Sequence, residues 1–384
     1  MSGEEHVANG RTPVRTIEPD PKGPESGMAL CLSGGGYRAM LFHLGVLWCL
    51  NEAGYLPKLA RISSVSGGSI TSGVLGYKWH KLAFDSKGIG QEFNNEVVQP
   101  IRRLAGKTID RGAILGGIFG SGSISDKVAG AYAKHLFNHG TLQDLPDSPR
   151  FVINATNVQS GALWRFMKPY MRDWRVGEVK APRVELALAV AASSAFPPVL
   201  SPVEIELEET DFTPDSGVDL QRVPYTTQVV LSDGGVYDNL GLETAWKRYE
   251  TIFVSDAGGK IEAEAEPKSD WARHSYRIFN IIDNQVRSLR KRQVIDSFVS
   301  GERQGAYWGI RTDITHYGLS DALSCPLRKT MELANVPTRL KALDSTLQEQ
   351  LINWGYAVCD AALRKHVDAS IQPPATFPYS GGVD

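Results

Sequence analysis

Three consecutive glycines, Gly34, Gly35 and Gly36, separate the apolar run "MALCLS" from the helically spaced run "YRAMLFHLGVLWCLNEAG". A glycine triplet sustains neither a strand nor a helix, so the chain must turn there and leave bare backbone open to a close approach. The run before it is short and apolar throughout, as a buried strand is. In the run after it Met40, Leu44, Leu47 and Leu50 share one stripe, and Gly54 stands where a helix C-cap belongs. "LARISSVS" reads as a second buried strand and "GSITSGVLGYKWHKL" as a second helix. Strand, glycine loop, helix, strand, turn and helix in that order predict an α/β sheet with right-handed crossovers.

The pattern continues downstream. "RFVINATNV", "TTQVVLSDGG" and "YETIFVSDAGG" read as further strands. Two long helical patterns close the chain. One spans about 276–299 with Ile278, Ile282, Val286 and Leu289 on one face; the other spans about 345–364 with Leu347, Leu351, Trp354 and Val358. Residues 1–27 are polar and rich in Pro and Gly, too poor in apolar groups to offset ordering, and read as a flexible tail. Residues 28–384 are expected to form a single domain with insertions near 82–150 and 204–225. The fold class expected is three-layer α/β/α with a mostly parallel central sheet.

Composition excludes several functions. Of 384 residues 42% are hydrophobic and the formal net charge is −2, so a large core is available and no basic field for nucleic acid exists. Cys31, Cys49, Cys325 and Cys359 lack metal-ligand spacing, which points to a reducing compartment, no disulfide framework and no metal. No apolar run reaches the about 18 residues of a membrane span, and no signal peptide is evident. A cytoplasmic protein is the expectation.

Two readings compete for the glycines. "GGGYRA" satisfies G-x-G-x-x-G/A, the dinucleotide fingerprint, but the acid due at the end of the next strand is missing. That strand ends instead at Ser66, in Ser64-Val65-Ser66-Gly67-Gly68, the small-residue setting of a nucleophile elbow. Adjacent parallel strands end on the same side, which places the glycine loop beside Ser66. Backbone N–H groups there would stabilise a developing oxyanion. Arg38 would reinforce that site or orient its loop. For the base, Asp233 in "VVLSDGGVYDNLG" is the stronger candidate, delivered to a strand end and followed by two glycines. Asp256 in "IFVSDAGG" is a rival in a similar setting, and Asp238, past the turn, is a third. No histidine sits in a loop that advertises catalysis, and His43, inside the first helix, suits packing better.

Four blocks, "SGGGYRAMLFHLGVLWCLNEAG", "SVSGGS", "AVAASSAFPPVLSPV" and "LSDGGVYDNLG", resemble the patatin-like phospholipase family in order and approximate spacing, and the closing "PTRLKALDSTLQEQLINWGYAVCDAALR" resembles the end of its bacterial members. The resemblance spans about 28–364. It implies a Ser-Asp dyad hydrolase of acyl lipids, on a sheet related to that of cytosolic phospholipase A2. By position Ser66 is then the nucleophile, Asp233 the general base, and Gly34, Gly35, Gly36 and Arg38 the oxyanion site, with no cofactor. The family's G-G-G-x-R-G ends here in Ala39, and the elbow begins with Ser64 instead of glycine. Ser193 and Ser194 with Pro197 and Pro198 would shape an acyl pocket, and 111–125 would form a lid. Arg287, Arg290, Lys291 and Arg292 would meet anionic headgroups in a peripheral membrane contact, or form a solvated helix face. The alternatives are a Ser-Asp-His hydrolase using His274, His316 or His366, and a non-catalytic lipid- or nucleotide-binding module.

Overall fold

The computed structural model describes residues 24–109 and 123–384. Its strands, in chain order, are β1 (Glu25–Leu32), β2 (Leu59–Val65), β3 (Arg150–Asn157), β4 (Ala162–Phe166), β5 (Tyr170–Asp173), β6 (Gly177–Lys180), β7 (Val203–Glu206), β8 (Gln228–Asp233), β9 (Tyr249–Asp256) and β10 (Gln304–Gly309). The order β10-β9-β1-β2-β3 is parallel throughout. Beyond β3 the sheet continues as the antiparallel strands β4, β5 and β6, and β8 also pairs antiparallel with β3, carrying β7 on its far side. The sequence signalled four of the five parallel strands, β1, β2, β3 and β9, but not β10. It gave no clear signal for β4 to β7, which are short and half polar.

The first strand begins at Glu25, within the stretch read as a tail; residues 1–23 of that tail and 111–122 of the expected lid lie outside the described residues. Strand β1 shows why a parallel strand reads as a continuous apolar run: it is buried on both faces. Leu30 and Leu32 face the layer of helices α1 (Gly36–Glu52), α2 (Gly67–Lys78) and a C-terminal helix, whereas Ala29 and Cys31 face Leu240, Ala245 and Val294 on the other side. This is the three-layer arrangement.

Three further helices matter to the site: α3 (Leu186–Ser193), α4 (Trp271–Val299) and the C-terminal α5 (Ser345–His366). Helix α1 is apolar on nearly all sides and is correspondingly buried, and it crosses α5 at two glycines. A Cβ on Gly45 would collide with the carbonyl oxygen of Ile352, and one on Gly355 with that of Phe42. Helix α4 departs from the usual amphipathic pattern. Ile278, Ile282, Val286 and Leu289 share a face as their spacing predicts, but that face is exposed, with Ile282 at 55% and Leu289 at 52%. The four cysteines are free and buried. Among the described residues no helix is long and apolar enough to cross a membrane, and no His, Cys, Asp and Glu group is set to hold a metal.

Candidate active site

The parallel pairing of β1 with β2 brings both loops to one edge of the sheet, as their order requires. Gly34 follows β1 and lies against Ser66 so closely that a Cβ on it would sit 3.2 Å from the Ser66 Cβ. Gly35 has φ +141°, a conformation that strains any side chain, and it carries the chain into α1. Ser66 caps α2 at φ 53° and ψ −121°, a strained backbone for a non-glycine residue. The strain is held by packing beneath it. The Ser66 N–H donates to the Ser193 hydroxyl at 3.0 Å, and Ser193 in turn meets the Ser69 hydroxyl at 2.8 Å. Ser69 and Ser72 both donate to the Ser64 hydroxyl, at 3.0 and 2.6 Å. Serine at position 64, where the elbow pattern has glycine, is therefore one member of a buried hydroxyl network.

Asp233 ends β8 and is buried. Its Oδ1 accepts the Gly235 N–H at 2.7 Å, while Oδ2 has no hydrogen bond within reach among the described residues. Burial pushes its carboxyl up from 3.8 to about 7, against the opposing pull of the Gly235 N–H and the Ser66 hydroxyl and with a smaller push from Asp283. Ser66, Asp233, Gly34 and Gly35 line one cavity of about 280 Å³, the more polar of two at the site. Ser66 also lines a second, apolar cavity of about 560 Å³, walled by Gly36, Phe196, Pro197, Leu200, Tyr276 and Leu340. The serine thus stands at the junction of one space that polar and apolar groups share about equally and another that is mainly apolar.

The remaining candidates separate by their contacts. The Gly34 N–H donates to the Asn239 carbonyl at 3.1 Å, whereas among the described residues no acceptor engages the N–H of Gly35 or Gly36. Both sit at the N-terminus of α1, where the helix dipole favours negative charge. Arg38 lies outside both cavities. It is buried, and its guanidinium donates to Ala257 O at 3.1 Å, to Thr338 Oγ1 at 3.1 Å and to Val336 O. Burial first, then Arg287 and Arg311, lower its pKa to about 10. Through these contacts Arg38 ties α1 to the β9 exit and to the segment before α5.

Asp256 accepts from the Tyr307 hydroxyl at 2.7 Å and the Gly258 N–H at 2.8 Å, away from Ser66. Asp238 accepts the N–H groups of Leu240 and Glu243. His43 is fully buried, its Nε2 at 3.0 Å from Ser33 O and Nδ1 at 2.9 Å from the Ser255 hydroxyl, and burial lowers its pKa to about 4. His274 and His316 are exposed, and no histidine lines either cavity. The described residues therefore assemble no Ser-Asp-His triad at Ser66. The expected basic cluster is divided: Arg290 pairs with Glu243 at 3.2 Å, Arg287 and Lys291 turn toward the cleft, and Arg292 is exposed.

The family model described as patatin-like phospholipase matches residues 30–246, more than half of the chain. The chain belongs to the patatin-like phospholipase family. No curated protein sequence matches it. Among solved structures it is similar to human GIVD cytosolic phospholipase A2 in complex with methyl γ-linolenyl fluorophosphonate, at 11% identity and TM-score 0.48, covering 88% of this chain and 57% of that one. It is also similar to VipD from Legionella pneumophila, at 15% identity and TM-score 0.35, covering 89% of this chain and 67% of that one. The chain spans about half the length of the human phospholipase chains it matches, 45% and 57% in two structures.

Within this patatin-like chain the sequence blocks fall at the site. The elbow, the glycine loop and the Asp-Gly-Gly turn meet at the polar cavity, and "SSAFPPVL" supplies the apolar wall. Four contributors carried no readable signal: Asn239, Lys260, and Asn280 and Asp283 on the polar face of α4. Asn280 and Asp283 reach the site only because α4 crosses the sheet edge.

Proposed function

We propose that this protein is a lipid acyl hydrolase acting through a Ser66-Asp233 dyad. The observation that carries the reading is the position of Ser66, on a strained elbow between an apolar cavity and a more polar one, with the raised carboxyl of Asp233 lining the latter. An acyl chain enters the apolar cavity and the polar remainder of the lipid occupies the other. Ser66 Oγ attacks the ester carbonyl as its proton passes to Asp233, and the N–H groups of Gly35 and Gly36 receive the developing oxyanion. Collapse of the tetrahedral intermediate breaks the ester C–O bond, and the alcohol leaves with the proton held by Asp233. Water then hydrolyses the acyl-enzyme by the same proton route in reverse. Arg38 positions the loop without touching the reacting atoms. A fluorophosphonate probe is expected to label one residue, Ser66, located by peptide mass spectrometry. Labelling of a different serine would refute the assignment.

The exposed apolar face of α4 belongs to the same reading, because the first turns of that helix, at Ala272, Arg273 and Tyr276, wall the apolar cavity. Ile278, Ile282 and Leu289 lie on a different, exposed side of the same helix, and Arg292, three residues after Leu289, is exposed with them. A lipid surface is the occupant that fits an exposed apolar face flanked by positive charge on the helix that also walls the apolar cavity. The double variant Ile282→Glu, Leu289→Glu is expected to lower binding to anionic vesicles about tenfold or more in a sedimentation assay. Binding equal to that of the unaltered protein would remove the bilayer as occupant.

A further inference from the structure

Next to the polar cavity lies a second pocket of about 240 Å³, and the two share Gly258, Lys260, Asn284 and Arg287 as common walls. Four cations line it: Lys260, Arg287, Lys291 and Arg311. The acidic groups that face them are few. Asp256 is the one carboxylate in the pocket, and both its oxygens already accept hydrogen bonds, from Tyr307 and Gly258. Asp283 stands in the adjoining cavity, and Glu262 is near enough to Arg311 to act on it through space.

Arg287, Lys291 and Arg311 make their hydrogen bonds and ring contact to neutral groups, while Asp283 acts on Arg287, and Asp256 and Glu262 on Arg311, through space. Arg287 donates to Gly259 O and, at 3.4 Å, to Asn284 Oδ1. The Lys291 ammonium sits over the Tyr307 ring at 4.6 Å from its centre. Arg311 donates to Asn335 Oδ1 at 2.7 Å and lies 3.9 Å from the Met331 sulfur, and its buried Nε has no partner among the described residues. Lys260 is exposed at the rim shared by the two spaces. Several part-buried arginines elsewhere are paired with acids: Arg290 with Glu243, Arg364 with Asp360 and Asp321, Arg175 with Asp219. Like charges gathered without matching carboxylates repel one another, and Arg287 and Arg311 both lower the pKa of Arg38. The arrangement becomes favourable when an anion with several acceptor oxygens enters, and guanidinium and ammonium groups together suit phosphate.

Resting on the hydrolase reading, we propose that this pocket is a phosphate site that selects lipids with an anionic phosphate headgroup, Lys260 and Arg287 leading from the Ser66 cavity to Lys291 and Arg311. A choline headgroup would bring a fifth cation among four and is disfavoured. A neutral acylglycerol gains nothing from the pocket.

The test compares kcat/KM on acyl-matched phosphatidic acid, phosphatidylcholine and diacylglycerol dispersed at equal surface fraction in neutral detergent micelles. Phosphatidic acid is expected to be preferred about tenfold or more, and Lys291→Gln and Arg311→Gln each to reduce that ratio several-fold. Arg103→Gln, the same charge change at an exposed arginine that lines neither pocket, is expected to leave the ratio in place. A second arm titrates inorganic phosphate and glycerol 3-phosphate into the protein by calorimetry. Headgroup preference with weak inorganic phosphate binding assigns the site to the lipid. Tight inorganic phosphate binding, lost in Arg311→Gln, without headgroup preference assigns it to free phosphate and overturns the selectivity. Absence of both overturns the site. A protein that hydrolyses no acyl ester fails the hydrolase reading instead, and the calorimetric arm still decides whether phosphate binds.

Discussion

Ser66→Ala is expected to abolish acyl-ester hydrolysis, with kcat falling at least about a thousandfold while the fold is kept. Loss of the hydroxyl removes the nucleophile and leaves only binding and the N–H donors. Asp233→Asn is expected to match it, because an amide cannot take the proton from Ser66. The pH dependence follows from the burial of Asp233. Only the ionised carboxylate accepts a proton, and its pKa is pushed up to about 7, so kcat/KM should rise about tenfold per unit below that pH and level off above it. A profile already flat at about pH 5, or activity retained in Asp233→Asn but lost in Asp256→Asn, would sink the dyad.

The same shift has a stability consequence whose sign is opposite to that of a salt-bridged carboxylate. The folded protein holds the Asp233 proton up to about 7, whereas the unfolded chain releases it near 3.8. The folded state therefore binds more protons between those values, and stability falls as pH rises through the window. Asp233→Asn carries no such liability. Relative to the unaltered protein it should gain stability between about pH 4 and pH 7, read as the difference in urea midpoint. An unchanged difference across that window would mean that the carboxyl is not raised.

Gly45→Ala is expected to destabilise the fold by about 1–3 kcal/mol or more, seen as a lower urea midpoint with no direct effect on the chemistry. The α1–α5 crossing is so close that a methyl at Gly45 meets the Ile352 carbonyl, and backbone cannot rotate away as a side chain can. The helices would have to separate along an interface where Leu351, Trp354 and Val358 are fully buried. Gly301→Ala is the contrast within the same protein. Its Cβ would meet nothing, and its cost comes from a φ of +74° alone. A Gly45→Ala variant as stable as the unaltered protein would mean the crossing is looser than described.

The parallel core, β10 aside, was legible because its strands are buried on both faces and flanked by glycine turns, so composition alone marks them. The elbow and the Asp-Gly-Gly turn were legible for a related reason: sharp turns at strand ends require small residues, and a polar side chain stranded among them stands out. Helix α4 shows the limit. Its apolar period marked a helix and a face, but periodicity reports only that Ile278, Ile282, Val286 and Leu289 lie together, not whether protein or solvent lies opposite. Residues 111–122 of the expected lid lie outside the described residues, and its last three, Ser123 to Ser125, open a helix that runs to Tyr132.

The sequence by itself determined the parallel α/β core apart from β10, the family, and the candidate pair Ser66 and Asp233, since local turn geometry constrains residue type directly. Tertiary structure decided what no local pattern encodes. Arg38 is spent on the Ala257, Val336 and Thr338 contacts, Ser193 holds the elbow from below, and Asp233 rather than Asp256 shares a cavity with the serine. It also decided that Lys260, Arg287, Lys291 and Arg311, from three separate segments, face one another. Charge adds up through space, and sequence separation says nothing about that distance.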